Sequence, residues 1–258
     1  MGNKQVPTNK HNYKGVSMQK KSILDLLQEE KAAKYKGGLY HLTQIKLTFN
    51  SNHIEGSNLS EEQTRNIFET QTVWLSNDKV VNVNDITETI NHFKCIDYVI
   101  DNAKLSLSED IIKTLHAILK NNTNNRHNDW IVIGDYKNQI NVISGQPTTH
   151  PKNVPNEIAK LLSDYNSKKD IAFLDIVEFH QKFECIHPFT DGNGRVGRLI
   201  AFFMCLKHNI IPFYIDEEIK FYYYRGLKEW NKDQNFLLDT CKRGQDKFIS
   251  WCNRPKGE

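Results

Sequence analysis

The stretch His187-Pro-Phe-Thr-Asp-Gly-Asn-Gly-Arg-Val-Gly-Arg198 combines a turn that can bind an anion with the start of an apolar helix. Gly192 and Gly194 can adopt positive φ without a steric cost, and Asn193 tolerates the left-handed region, so several backbone N–H groups can point toward one anion. Apolar residues recur at helical spacing directly after this turn: Val196, Leu199, Ile200, Phe203 and Met204. The pattern predicts an anion-binding nest that opens onto the N-terminus of a helix, where the helix dipole also favours negative charge.

The charged side chains of this stretch favour phosphate as the anion. Arg195 and Arg198 lie three residues apart in the first turn of the predicted helix, so both guanidinium groups can contact phosphate oxygens. Pro188 disfavours helical geometry at His187, which places the histidine where the preceding helix ends, at the edge of the nest. A histidine there can take a proton from a hydroxyl, and Asp191 beside phosphate is suited to holding Mg²⁺. A short glycine turn alone is weak evidence, because it also occurs as a plain helix cap.

The stretch resembles the signature of the Fic family, His-x-Phe-x-Asp/Glu-Gly-Asn-Gly-Arg-x-x-Arg. All its positions are matched, by His187, Phe189, Asp191, Gly192, Asn193, Gly194, Arg195 and Arg198. The resemblance implies a mainly α-helical bundle with a short β-hairpin flap. It also implies an enzyme that transfers AMP from ATP to a protein hydroxyl, with His187 as the base and Asp191 on Mg²⁺. Gly194 separates the chain from the Doc-like branch, in which a lysine stands at this position and the reaction is a protein phosphorylation.

The same resemblance implies how ATP is held. The phosphates are bound by Asn193 and the amides of Gly192 and Gly194, and Arg195 and Arg198 orient the β- and γ-phosphates. Three successive tyrosines, 222–224, cannot all face the core of one helix, so at least one is expected at the surface or in a pocket. One core tyrosine between two surface tyrosines explains them equally well. Family members carry a Tyr-Tyr pair and a later Asn beside the nucleotide, and the corresponding residues here are Tyr223, Tyr224 and Asn231.

A short segment upstream resembles the inhibitory helix of the family, with the pattern Ser/Thr-x-x-x-Glu-Gly/Asn. Ser51 and Glu55 are four residues apart and share a helix face, and Gly56 is a candidate helix C-cap. From composition alone they are a surface serine and glutamate at a helix end. The resemblance implies the N-terminal arrangement of the second class of the family, in which Glu55 pairs with Arg198 and blocks productive ATP binding.

A β-prone region lies between two helical parts of the chain. Residues 130–133 are apolar, Gly134-Asp135 is a turn signal, and Ile140 and Val142 alternate with polar neighbours, which predicts a short hairpin. In the family the corresponding hairpin is a flap whose edge adds an extended target segment as a further strand. The positions assigned to this docking are Val142, Ile143, Ser144 and Gly145. Lys137 stands where the family often carries arginine.

The chain is expected to contain three parts. Residues 1–20 are polar and form a flexible tail, residues 21–107 form an N-terminal helical region with the inhibitory helix at about 42–56, and residues 108–258 form the Fic core with the C-terminal helices. Ser60 followed by Gln63 predicts a capping box, and Ser108 predicts another helix start. His92 and His116 fall within predicted helices and are expected to be packed rather than to bind metal.

Composition limits the classes of function. The chain has 258 residues, 34 basic and 31 acidic ones, and a formal net charge of +3 spread along its length, which does not favour nucleic-acid binding. No apolar run is long enough to span a membrane, and the N-terminus lacks a signal-peptide pattern, so we expect a cytoplasmic protein without membrane contact. The five cysteines show no C-x-x-C pairing and are expected to be buried thiols.

The sequence therefore predicts a protein adenylyltransferase that uses ATP and Mg²⁺ and acts on a Ser, Thr or Tyr hydroxyl in an extended segment of a target protein. Hydrolytic removal of AMP by the same site is the nearest alternative, with Glu55 positioning water. A non-catalytic nucleotide- or protein-binding module is an alternative from another class, and the combination of His187 and Asp191 disfavours it. The nest recognises phosphate, so UTP or CDP-choline stay open as donors. Neither the target nor a homo-oligomeric state follows from the sequence.

Overall fold

Helices form nearly all of the regular structure in the computed structural model, which describes residues 21–74, 80–123, 131–143 and 145–253. The helices are α1 (Ile23–Ala33), α2 (Leu39–Ile54), α3 (Glu61–Thr70), α4 (Val83–Asn102), α5 (Glu109–Leu119), α6 (Val154–Asn166), α7 (Phe173–Ile186), α8 (Asn193–Lys207), α9 (Glu217–Lys228) and α10 (Asn235–Cys252). Two short strands, β1 (Val142–Ile143) and β2 (Gln146–Pro147), and a 3₁₀ turn, Pro151–Asn153, precede α6. The mainly α fold class is confirmed. The predicted tail of residues 1–20 lies outside the described residues.

Helix α8 is the central element of the bundle. It packs against α7 along its length and also contacts α4 and α5. The apolar residues that predicted this helix are all buried: Val196, Leu199, Ile200, Phe203 and Met204. Burying one such side chain stabilises the fold by about 1.5–3 kcal/mol, so α8 has a large share of the core energy. A helix that is apolar on most sides belongs in the interior, and its polar N-terminal turn is therefore held rigidly at one end of the core.

One apolar core joins the N-terminal and C-terminal helices. It includes Leu27 of α1, Ile96 of α4, Phe183 of α7 and Phe248 of α10. A smaller cluster of Leu59, Ile67 and Phe93 lies under α3. The predicted domain boundary at residues 107 and 108 stays a prediction, although the main core extends to both sides of it.

The predicted helix starts at Ser60 and Ser108 are confirmed. Ser60 Oγ accepts a hydrogen bond from Gln63 N at 3.1 Å, and Gln63 Oε1 accepts one from Ser60 N at 2.9 Å, which completes the capping box of α3. Ser108 Oγ accepts a hydrogen bond from Ile111 N at 3.3 Å at the start of α5. These bonds satisfy backbone N–H groups that have no partner within the helix.

Helix α2 covers residues Leu39–Ile54, close to the predicted inhibitory helix at about 42–56. Glu55 follows as its C-cap, with its N–H donating to Asn52 O at 3.1 Å. Gly56 then adopts φ of +97°, which only glycine takes without strain, and its N–H donates to His53 O at 3.0 Å. The chain thus turns sharply after Glu55, and this turn ends the helix next to the glutamate.

The predicted hairpin starting at residues 130–133 is wrong, because the hairpin lies further along the chain. The described residues 131–133 form no strand, and β1 pairs antiparallel with β2 around a turn in which Gly145 has φ of +79°. Gly134 N–H donates to His116 Nδ1 at 3.0 Å, and Lys137 N–H donates to Pro188 O at 2.9 Å. These bonds attach segment 134–137 to the core, so Gly134 cannot serve as a hairpin turn. Trp130 and Ser144 lie outside the described residues.

The helical histidines are packed as predicted, but the prediction of buried thiols holds for only three of the five cysteines. All five are free thiols; Cys95, Cys205 and Cys241 are buried, whereas Cys185 is exposed and Cys252 is half-buried. His92 Nδ1 lies 3.0 Å from Thr48 Oγ1 in the core, and His116 is buried beside the signature stretch. None of the helices in the described ranges has the length and hydropathy needed to cross a membrane.

Candidate active site

His187 ends α7 in an unusual backbone conformation. It has φ of 50° and ψ of 63°, the left-handed region, and its N–H donates to Phe183 O at 2.9 Å. Burial lowers the pKa of His187 to about 4, and the nearby Lys137 cation acts in the same direction. The imidazole is therefore neutral at physiological pH, which is the state that can accept a proton.

The glycine turn opens α8 as predicted. Gly192 has φ of +83° and lies directly before Asn193, the first residue of α8, so the first N–H groups of the helix face out of the turn. The Asn193 side chain has a different role from the predicted one. Its Oδ1 accepts from Phe189 N and its Nδ2 donates to Phe189 O, both at 2.8 Å, and the residue is 2% exposed. Asn193 therefore shapes the loop with its side chain and offers only its backbone to an anion.

His116 of α5 supports the turn from below. Its ring stacks on Phe189 with a centroid distance of 3.9 Å and an interplanar angle of 6°. Because Gly134 N–H donates to His116 Nδ1, the ring proton is on Nε2, which donates to Asp191 O at 3.2 Å. Burial lowers the pKa of His116 to about 4, so this neutral tautomer persists at physiological pH.

Asp191 and Arg195 belong to a cluster of four charges. Lys120 Nζ contacts the carboxylates of both Asp191 and Glu88, and Arg195 pairs with Glu88 and lies 3.7 Å from Asp191 Oδ1. Lys120 is 3% exposed, whereas the Asp191 side chain is 52% exposed. Burial alone would raise the pKa of Asp191, but Lys120 and Arg195 outweigh it and lower the pKa to about 2. Asp191 is thus a permanent carboxylate at the mouth of the turn.

Arg198 is held by α2 through three hydrogen bonds. Its Nε donates to Ser51 Oγ and its Nη2 to Ser51 O, both at 3.0 Å, and Nη2 also donates to Glu55 Oε1 at 2.7 Å. Burial alone would raise the pKa of Glu55, but Arg198 outweighs it, so the pKa lies below its usual range and the pair is ionised. The predicted contact of Glu55 with Arg198 is therefore present. We call these three residues the Arg198 clasp.

Gly194 makes room for the clasp. A Cβ atom at this position would overlap Glu55 Oε1 and lie 3.1 Å from Arg198 Nη1. Glu55 thus occupies the space directly over the turn, where a larger residue than glycine would exclude it. This close approach places a carboxylate of the chain itself at the predicted anion site.

The tyrosines of α9 divide between core and surface. Tyr223 is 1% exposed and its hydroxyl lies 2.7 Å from His180 Nε2, so its ring face is not open to a nucleotide. Tyr224 is 44% exposed and its hydroxyl donates to Ile54 O at 3.4 Å, close to the clasp. Of the predicted pair, only Tyr224 has a face open to a ligand. Asn231 is exposed in the turn after α9.

Residues 106–205 match the Fic/DOC family. The chain carries a Fic domain. It is 26% identical to the protein adenylyltransferase Fic of Nematostella vectensis over 190 residues. The aligned region covers 71% of this chain and 42% of the relative. It is also 25% identical over 198 residues to a probable protein adenylyltransferase of Aquifex aeolicus, covering 72% of this chain and 60% of the relative. The chain thus spans less than two thirds of either relative.

Solved structures of Fic proteins share the fold. A Fic domain containing signalling protein from Bacteroides thetaiotaomicron superimposes with a TM-score of 0.69 at 20% identity, covering 89% of this chain and 93% of that one. Fic-1 of C. elegans superimposes with a TM-score of 0.67 at 22% identity, covering 88% of this chain and 68% of the other. Both likenesses extend beyond residues 106–205, so the N-terminal helices belong to the shared fold.

The turn between α7 and α8 (residues 187–192), which we call the Fic turn, fits a magnesium ion that is shared with a nucleotide. No group of three or more His, Cys, Asp or Glu side chains in the described ranges could hold a metal ion alone. Mg²⁺ is commonly bound by one or two carboxylates together with substrate phosphates and water. Asp191, ionised and half-exposed beside the N-terminus of α8, matches that requirement.

The site residues predicted from the sequence do not include Glu88 and Lys120, which fix Asp191 and Arg195 of the Fic motif. They lie on α4 and at the end of α5, far from the motif along the chain. Their types carry no local signal, since a glutamate and a lysine in helical segments are normally surface residues. A sequence argument could have found them only by asking which residues neutralise a buried arginine.

Proposed function

We propose that this Fic protein is a protein adenylyltransferase that transfers AMP from ATP to a Ser, Thr or Tyr hydroxyl of a target protein. The observation that carries the proposal is neutral His187, which is close enough to Asp191 and Glu55 for both carboxylates to act on its pKa. A proton acceptor would then lie beside the proposed anion site at the N-terminus of α8, where Arg195 and Arg198 also lie. The relatives named protein adenylyltransferases support the same reaction.

In this mechanism the phosphates of ATP lie at the N-terminal N–H groups of α8. Arg198, once released from Glu55, contacts the γ-phosphate. Asp191 would hold Mg²⁺, which supplies positive charge for the phosphates when it is bound. His187 accepts the proton of the target hydroxyl as the hydroxyl oxygen attacks the α-phosphorus. The bond between the α-phosphorus and the bridging oxygen breaks, pyrophosphate leaves, and AMP remains on the target.

The hairpin is proposed to present the target. Val142 and Ile143 of β1 are exposed, and Gly145 lies in the turn. Asn141 Nδ2 donates to Phe189 O at 2.9 Å, so the base of the hairpin is attached to the Fic turn. An extended segment that pairs with the strand edge would run past this turn, with weak sequence preference because main-chain bonds dominate such binding.

We further propose that the Arg198 clasp keeps the isolated protein largely inactive. Glu55 neutralises the guanidinium that would bind the γ-phosphate and occupies the space over Gly194. ATP can then bind only if Glu55 leaves or if the γ-phosphate lies elsewhere. Since Glu55 and Arg198 are both ionised at neutral pH, the inhibition persists under physiological conditions.

The experiment compares wild type with Glu55→Gly during incubation with ATP and Mg²⁺, and intact mass reports the added AMP. Glu55→Gly is expected to add AMP to itself or to a target at least ten-fold faster, and His187→Ala in the same background is expected to abolish the addition. Glu229→Gly is the matched control. Glu229 is also a helix C-cap, and away from the Fic turn its carboxylate pairs with Arg225 at a distance of 3.2 Å. AMP addition by the His187→Ala protein at a normal rate would refute the proposal.

Removal of AMP is the second candidate, favoured by the position of the Glu55 carboxylate directly over the turn. A carboxylate there can orient a water molecule toward a bound AMP ester. AMP-modified protein, prepared with Glu55→Gly, is incubated with wild type and with Glu55→Gly. Release of AMP by wild type alone would assign the hydrolytic reaction, and UTP and CDP-choline in the forward assay test other donors.

A further inference from the structure

Lys137 is a buried lysine whose ammonium group, among the residues that the structure describes, bonds to uncharged acceptors. It is 3% exposed, and its Nζ donates to Asn141 Oδ1 at 2.7 Å and to Thr148 Oγ1 at 2.6 Å. Asn141 and Thr148 flank the hairpin strands β1 and β2. Burying an ammonium group among neutral acceptors is costly, so an apolar residue would be expected here if the site only needed to be filled.

The same lysine contacts the backbone on both sides of His187. Its Nζ donates to Ile186 O at 3.3 Å, and its backbone N–H donates to Pro188 O at 2.9 Å. His187 lies between these two carbonyls in the left-handed conformation, with φ of 50°. This conformation is common where a helix ends, and Lys34 and Gln71 adopt it at the ends of α1 and α3. What distinguishes His187 is that a buried lysine bonds the carbonyls on both of its sides.

We propose that Lys137 is a positioning residue for His187. Lys137 connects the hairpin to the carbonyls of Ile186 and Pro188, on either side of the histidine, and so fixes the direction of the imidazole. The hairpin and the proton acceptor then move as one unit. A target segment seated on the hairpin is thereby held in register with the histidine. The kinetic part of this inference rests on the proposed adenylyltransferase function, whereas the structural part does not.

The charge of Lys137 serves the same purpose. Burial lowers the pKa of Lys137 to about 8, so the group is still mainly protonated at neutral pH. The charged groups that act on His187 are Lys137, which opposes its protonation, and Glu55 and Asp191, which favour it. Burial is the largest cause of the low pKa of His187 and remains in a variant without the lysine charge, but the opposing cation is gone, so the imidazole should become more basic.

The test follows the histidine directly by NMR titration of ¹³C-labelled imidazoles, with His187→Ala identifying the His187 signal. Lys137→Met and the more polar Lys137→Gln are expected to raise the pH midpoint of His187 by about one unit or more, whereas Lys137→Arg keeps it near the wild-type value. Lys160→Met, at an exposed lysine of α6, is the control without effect.

The second readout is kinetic and uses the Glu55→Gly background. Lys137→Met and Lys137→Gln are expected to lower kcat for AMP addition about 10- to 100-fold, because small misplacements of a reacting group have effects of this size. The KM for ATP should stay within about two-fold, since the sequence assigns the nucleotide to other residues and the bonds of Lys137 in the described part of the chain go to the hairpin and to the carbonyls beside His187. Lys137→Arg should restore most of kcat.

Each outcome decides the inference. An unchanged pH midpoint of His187 in both Lys137→Met and Lys137→Gln would overturn it. It would also be overturned if Lys137→Arg kept the wild-type midpoint but lost as much kcat as Lys137→Met. Circular dichroism identifies a variant that fails to fold, and Lys137→Gln then replaces Lys137→Met. If the Glu55→Gly parent adds no AMP, the proposed function fails while the titration still decides the role of Lys137.

Discussion

Arg198 satisfies two incompatible demands. It is buried, so it needs partners for its N–H groups, and in the proposed reaction it must also be free to bind phosphate. The clasp meets the first demand with Ser51 and Glu55, both supplied by α2. Because one of these partners is a carboxylate at the end of a helix, the partner can be withdrawn without opening the core. Glu55 therefore suits a reversible inhibitor better than a permanent structural ion pair.

Ser51→Ala should loosen this arrangement. It removes the acceptor of Arg198 Nε, which lies 3.0 Å from Ser51 Oγ, and leaves a buried N–H without a partner. The expected cost is about 1–3 kcal/mol in the free energy of unfolding, measured with urea. AMP addition should rise, though less than in Glu55→Gly, since the bonds of Arg198 Nη2 remain. Ser167→Ala, at an exposed site, should change neither quantity, and a fall in AMP addition with Ser51→Ala would contradict the inhibitory role.

Glu88→Gln should destabilise the fold through its two cations. Glu88 neutralises Lys120 and Arg195, whose side chains are both largely buried. Removing one partner of a buried ion pair typically costs about 3–5 kcal/mol, and Asp191 would be left to neutralise both cations. Glu178→Gln is the control, since the pair of Glu178 with Lys182 at 2.8 Å lies on the surface and should contribute less than about 1 kcal/mol. Equal urea midpoints for the two variants would show that Asp191 alone can neutralise the cluster.

At the scale of elements, sequence patterns were reliable where the signal is local. The caps at Ser60 and Ser108, the helix ending at His187 and the glycine turn before α8 all follow from residues within one turn of each other. The hairpin was misplaced because segment 134–137 is bonded to α5 and to the Fic turn, and those partners are distant in sequence. Local propensity cannot weigh such bonds.

Helices α7 and α8 approach closely at Gly197, and this contact can be tested. A Cβ atom there would overlap Glu184 Oε1 and lie 3.1 Å from Phe183 Cδ1 and 3.2 Å from His180 Cε1. Gly197→Ala is therefore expected to destabilise the protein by about 1–3 kcal/mol in urea unfolding, as overpacking does, despite the better helix propensity of alanine. In a Glu184→Ala background the cost should shrink, since one of the three contacts is gone. A stabilising Gly197→Ala would show that the helices separate easily.

At the scale of the molecule, the site joins residues that are far apart in sequence. Ser51 and Glu55 come from α2, Glu88 from α4, Lys120 from the end of α5 and Arg198 from α8. The family signature could assign His187, Asp191 and Arg198, because it is contiguous. The ion pairs that fix these residues depend on the packing of four helices, so they could be read only from the fold.

Buried titratable groups predict how stability depends on pH. Burial lowers the pKa of His92 and His180 to about 3 and that of His116 and His187 to about 4, against about 6.5 in an unfolded chain. The unfolded state therefore binds more protons between about pH 4 and 6.5, and stability is lost as the pH falls through this window. Glu184 acts in the opposite direction, since burial raises its pKa to about 8. The stabilisation that Glu184 adds to the free energy of unfolding is complete below about pH 4.3 and is lost as the pH rises toward 8.

The effects together predict that stability rises from acid pH and levels off near pH 7. Around pH 6.5 each of the four histidines is still half protonated in the unfolded state, so together they outweigh Glu184. Above pH 7 the loss due to Glu184 is offset by the last part of the histidine titration and by Lys137, whose pKa burial lowers to about 8. Urea midpoints measured from pH 4.5 to 8 should trace this curve. Glu184→Gln carries no charge at any pH, so its midpoint should go on rising between pH 6.5 and 8, whereas Glu178→Gln should level off like wild type. The same continued rise in wild type would mean that the Glu184 carboxyl is already ionised at pH 6.5, held so by Arg198.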